Sequence, residues 1–126
     1  MGLITGLLSG YYAGLVVSRT ARFSALLRDA ERPFKTVEYM QEEGFVQVAG
    51  WDEKPLDRAA DDLAADKQVQ ASLVVRAKLF EMRDTLQKAR RGEIDAMELE
   101  GLLKASRAVI RGLRPHPRVL VPWGAP

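Results

Sequence analysis

The sequence predicts a mainly α-helical chain: a glycine-repeat helix first, a small helical domain next, and an extended proline-rich tail last. Three observations carry that expectation. Glycine recurs at every fourth position from Gly2 to Gly14, in a start with no charged side chain before Arg19. Val75, Leu79, Met82, Leu86 and Ala89 alternate at spacings of four and three, the seam of a long amphipathic helix. Pro115, Pro117, Pro122 and Pro126 crowd the end of the chain. The division expected is 1–32 for an anchor helix with a basic extension, 33–113 for the helical domain, and 114–126 for the tail. Within the domain, 68–113 is expected to form an antiparallel helical hairpin.

Read as a helix, the start has two unlike faces, because residues three and four apart share a side. Gly2, Gly6, Ser9, Gly10, Ala13 and Gly14 lie on the small face, while Leu3, Leu7, Tyr11 and Leu15 lie on the large one. In water each interior glycine costs roughly 1 kcal/mol against alanine. In lipid, small residues let two helices approach closely while each helix satisfies its own backbone. The small face is therefore the expected helix–helix interface. Its residues from Gly2 to Gly14 resemble the glycine-zipper segments found in many unrelated small membrane proteins, a resemblance that carries no function. A helix from Met1 to Ser18 rises about 27 Å, enough for a thin bilayer. Arg19, Arg22 and Arg28 form a juxtamembrane basic flank. By the positive-inside tendency the N-terminus faces out and the remainder is cytoplasmic, which gives a bacterial inner-membrane location. The competing expectation is a first helix buried among partners in a soluble assembly.

The apolar stripe continues through Phe23, Leu26, Leu27 and Ala30 to an end near Glu31, because Pro33 disfavours helix at the residue before it. A short second helix is expected with Pro33 in its first turn, Val37 and Met40 inward and Gly44 as its stop. Phe45 to Trp51 alternates apolar and polar, but a single strand cannot make a sheet, so an extended connector is expected. Asp52 is a candidate cap for a helix whose inner face is Leu56, Ala59, Ala60 and Leu63. In the long helix, Leu73, Ala77 and Phe80 are expected to widen the core-facing seam. Arg90-Arg91-Gly92 closes it, and Asp95 with Glu98 three residues on opens the next helix as a capping box. Met97, Leu99, Leu102, Leu103, Val109, Ile110 and Leu113 are expected to supply that helix's apolar side. In the tail, Arg114, Arg118, Leu120 and Trp123 are the expected partner contacts, since an extended proline-rich segment docks at low entropic cost.

The net charge of +2 conceals a segregation: residues 19–35 sum to +3, residues 36–66 to −7 and residues 67–126 to +6. An acidic middle between basic flanks favours pairing within the chain, or head to tail between copies, over nucleic-acid binding. There is no cysteine and one histidine, His116, between two prolines. No nucleophile, base and orienting group stand at catalytic spacing, and neither a phosphate loop nor a dinucleotide fingerprint is present. The acidic run at Asp57, Asp61, Asp62 and Asp66 lacks the glycine-bearing loop of a calcium site. No catalytic residue, metal or cofactor is therefore expected. The expectation is a non-enzymatic accessory or assembly subunit of a bacterial membrane complex, in contact with other protein subunits and lipid, within a homo- or hetero-oligomer. The alternatives are a self-oligomerising pore-former, or a soluble structural subunit of a phage or secretion assembly.

Overall fold

A computed structural model describes the backbone of residues 2–117 and the side chains of residues 13–117. The elements are α1 (Gly2–Thr36), β1 (Glu38–Glu42), β2 (Phe45–Ala49), α2 (Lys54–Ala65), α3 (Val69–Arg90) and α4 (Ala96–Arg111). The fold is mainly helical, with one two-stranded sheet among the described residues. Among the same residues no helix is long and apolar enough to cross a membrane, so the transmembrane character expected of the first helix is not supported. Glycine, serine, threonine and tyrosine dilute the apolar side chains of that stretch, and the same helix runs on into charged sequence.

Helix α1 does not end near Glu31. Pro33 lies inside it and is fully buried, with Phe34 beside it in the core. Proline removes the hydrogen bond to the Asp29 carbonyl and its ring crowds that oxygen, a cost of about 3 kcal/mol or more in a helix interior, although its fixed φ suits a helix. Burial of Pro33 and Phe34 offsets that cost. The turn closes as Val37 donates its backbone N–H to Pro33 at 3.1 Å. The boundary drawn at residue 32 thus falls inside α1.

No helix follows at 37–44. Residues 38–42 are a strand that pairs antiparallel with β2, in the register Glu38↔Ala49 through Glu42↔Phe45. Gly44 takes the tight turn at φ +86°. The alternation read at Phe45–Trp51 was real, and its partner strand was the segment expected to be helical. Val46 is fully buried on the inner face, with Tyr39 and Val48 packed against the core, while Met40 points outward. Trp51 meets the Phe34 ring edge-on at 5.4 Å.

The core is one cluster drawn from the four helices and β2, with Tyr39 of β1 packed against it. From α1 it takes Phe23, Leu26, Leu27, Ala30 and Phe34; from α2 it takes Leu56, Ala59, Ala60 and Leu63. From α3 come Val75, Leu79, Met82, Leu86 and Ala89, and from α4 come Leu99, Leu103 and Ile110. Asp95 caps α4 by accepting from Glu98 N–H at 2.7 Å. Helices α3 and α4 form the helical hairpin, and α4 packs on α1 as well as α3. The inward stripes are narrower than expected. Leu73, Ala77 and Phe80 of α3, and Met97, Leu102 and Val109 of α4, face outward. Each helix is covered on one side only, so the seam at spacings of four and three fills the interface and its flanking apolar residues are left outside.

Candidate functional site: the glycine-lined arm and the α1–α4 furrow

Helix α1 has two halves with different surroundings. From Phe23 to Phe34 it is rooted in the core. Towards the N-terminus it continues unbroken to Gly2, so the backbone beyond Thr20 extends about 27 Å further. Gly2, Gly6, Ser9 and Gly10 lie on that helical backbone, but their side-chain surroundings are outside what the structure describes. Ala13 and Gly14 are described, and both are exposed. A Cβ built on Gly14 meets nothing within 4 Å, so this end of the small face is open.

The basic flank divides by role. Arg22 is paired to Asp66 at the end of α2, and that hydrogen bond, followed by the carboxylate's charge, raises the guanidinium's pKa above its ordinary value. Arg28, six residues further along the helix, is exposed. Arg19 is half-buried. In the tail, Arg114 lies against the end of α4, with its guanidinium donating to the Leu113 carbonyl at 3.3 Å. Arg118, Leu120 and Trp123 lie outside the described residues.

Charge segregation in the sequence becomes pairing in the fold. Acidic α2 and its cap face basic α3: Arg76 reaches Asp57 at 3.1 Å and Asp61 at 2.6 Å, and Arg83 forks onto Glu53 at 2.7 and 2.5 Å. The fork and the positive charge of Arg83 hold the Glu53 carboxyl below its ordinary value. All these pairs are solvent-exposed to a third or more, so each adds little stability and mainly fixes how α2 and α3 align.

A second feature is a basic furrow between α1 and α4. Lys104, Arg107 and Arg111 line its α4 wall, Arg28 and Lys35 its α1 wall, and cavities of about 310 and 320 Å³ lie along it. Its floor holds Glu31, almost fully buried. One carboxylate oxygen lies 3.2 Å from Arg111 and 4.0 Å from Arg107. Neither approach has hydrogen-bond geometry, so the Glu31 Oε1 and Arg107 Nε atoms are ion-paired without a hydrogen bond. The contact joins α1 to α4 by charge. The sequence carried a sign of this row, because Lys104, Arg107, Arg111 and Arg114 recur at spacings of three and four, but a net-charge tally does not register a face.

Among the described residues no three His, Asp or Glu side chains are placed to hold a metal ion. What the arrangement offers is surface: a small-residue helix face open at Ala13 and Gly14, a basic furrow and outward apolar rows. Comparison with known proteins adds no relative, since no family model, no curated protein and no solved structure matches the chain.

Proposed function

We propose that this chain is a non-enzymatic assembly subunit that docks onto partner helices through the glycine-lined N-terminal half of α1. The observation that carries the reading is the continuity of α1 from Gly2 to Thr36, with its second half built into the core. A helix rooted in this way transmits position rigidly, and an open glycine face admits a second helix at short range. The charge-free start before Arg19 favours docking at a bacterial membrane complex, with the helical body on the cytoplasmic side. The lack of a helix apolar enough to cross a bilayer among the described residues favours an arm sheathed by partner helices rather than by lipid alone.

The test is replacement of Gly6 and Gly10 by isoleucine in the full chain. Bulk on the small face should abolish co-purification with partner subunits while leaving the circular dichroism melt of the body unchanged. Retained co-purification would sink the interface. Membrane fractionation of the same pair of proteins separates the two settings. Pelleting resistant to carbonate supports a membrane complex, and release into the supernatant supports a soluble phage or secretion assembly with the arm buried among partners.

A further inference from the structure

Three stretches far apart in sequence meet where α1 enters the body. Arg22 of α1 pairs with Asp66 at the end of α2. His116, beyond α4, donates its backbone N–H to Oε1 of Gln68 at 2.8 Å, and Gln68 directly precedes α3. A cavity of about 310 Å³ joins Thr20 and Ser24 of α1 to Arg111 and Arg114 at the end of α4. The base of the arm is thereby flanked by cations: Arg19 and Arg22 on α1 itself, Lys67 on the α2 side, and Arg111 and Arg114 on the α4 side. Asp66 answers Arg22 and Glu31 answers Arg111, whereas Lys67 and Arg114 are exposed and join no ion pair among the described residues. The other end of the body has the opposite sign. Helix α3 carries the chain about 33 Å away from Lys67, to the place where Gly92 lies against the Gly44 carbonyl. There Glu42, Glu43, Glu93 and Asp95 outnumber Arg90 and Arg91.

We propose that the arm-side end of the body rests on an anionic phospholipid surface, with Lys67 and Arg114 among the headgroups and the acidic end turned away. The inference rests on the membrane setting of the docking reading and adds which face of the body meets lipid. The placement of the cations favours lipid over an acidic protein. They come from three segments on both sides of a helix that has no charged side chain before Arg19, so a plane of phosphates crossing the arm meets all of them together. Each cation near such a surface strengthens attachment roughly fivefold. The separation of charge along the body orients it before contact, because the surface attracts one end and repels the other. Phe23, Leu27 and Leu113 line the same cavity as Arg111 and Arg114, a mixed apolar and basic lining that suits the boundary between headgroup and acyl chain.

The test is co-sedimentation of the full chain with vesicles of phosphatidylcholine alone and of phosphatidylcholine mixed equally with phosphatidylglycerol. The chain should prefer the anionic vesicles, and about 1 M salt should erase the preference. Lys67→Gln with Arg114→Gln should weaken binding to the anionic vesicles roughly thirtyfold, at about fivefold per cation. Arg90→Gln with Arg91→Gln removes the same charge at exposed positions of the opposite end, and should leave binding within about twofold. Circular dichroism melts check that both variants fold. Should the first fail to, Arg114→Gln alone, at an exposed residue beyond the end of α4, should still cost about fivefold. Equal losses from the two ends would overturn the oriented surface, since net charge alone would then govern binding. A native chain indifferent to phosphatidylglycerol would also overturn it and leave the cations to an acidic protein. The vesicles contain no partner subunit, and Gly6→Ile with Gly10→Ile should keep the anionic preference, so docking by the arm and seating on lipid can fail separately.

Discussion

At the scale of single residues, two glycines with the same backbone conformation have unequal importance. Gly44 at φ +86° has open space around a Cβ, whereas a Cβ on Gly92, at φ +79°, falls 1.9 Å from the Gly44 carbonyl oxygen. The hairpin turn is seated on the α3–α4 link at that point, and Ala96 donates its N–H to Oε1 of Gln41 at 2.8 Å. Gly44→Ala should therefore cost about 1 kcal/mol for the left-handed conformation alone. Gly92→Ala should cost roughly 2 kcal/mol or more, because backbone must also move. Equal thermal midpoints for the two variants would mean the turn is not seated there. The Glu53–Arg83 fork makes a second prediction. A carboxyl whose folded pKa is depressed adds stability above its unfolded value of about 4.3, lost as pH falls through the folded value. Glu53→Gln should lower the thermal midpoint slightly at about pH 6, with the gap closing by about pH 3 and shrinking in high salt. A gap that ignores pH assigns the effect to packing. The helix-closing role of Gly92 was legible from its place after Arg90-Arg91. Its close approach to Gly44 was not, because nothing local signals a contact forty-eight residues away.

At the scale of elements, periodicity located helices well and their exposed sides poorly. The seam of α3 and the inner face of α2 came out as read, since spacings of three and four mark one side whatever covers it. What spacing cannot give is how much of that side is covered, and so Leu73 and Phe80 in α3, and Met97 and Leu102 in α4, were expected inward and lie outward. Stability should divide along the same line. Leu79 and Leu86 are each 2 % exposed, so truncation of either to alanine should cost on the order of 2–5 kcal/mol. Met97→Ala, at a residue 81 % exposed, should change little, within about 0.5 kcal/mol. Denaturant midpoints for the three variants measure the contrast, and comparable losses at all three sites would mean the faces are misassigned. The strand β1 was missed for a different reason. Glu38-Tyr-Met-Gln-Glu has two apolar residues side by side, and only pairing with β2, which sets Tyr39 opposite Val48, turns Tyr39 towards the core.

At the scale of the whole molecule, the question is where the independently stable body begins. The basic-flanked, charge-free start invites a cut near residue 32, and Pro33 reinforces it. The core contradicts such a cut physically, because Phe23, Leu26, Leu27 and Ala30 are all within 7 % of full burial and pack with α2 and α4. Burial of each of the three large side chains is worth roughly 1.5–3 kcal/mol, a large share of the 5–15 kcal/mol that holds a domain of this size together. Removing residues 1–32 would also take Glu31 from beneath Arg111 and Arg107, leaving like charges facing an emptied groove. Removing residues 1–18 takes none of these groups. A chain beginning at Arg19 should therefore melt cooperatively with helical circular dichroism, while one beginning at Pro33 should show a broad or absent transition. If the shorter chain melts as sharply as the longer, the second half of α1 is dispensable packing. The arm would then hang from the body without a rigid root, and the docking reading would lose its mechanical basis.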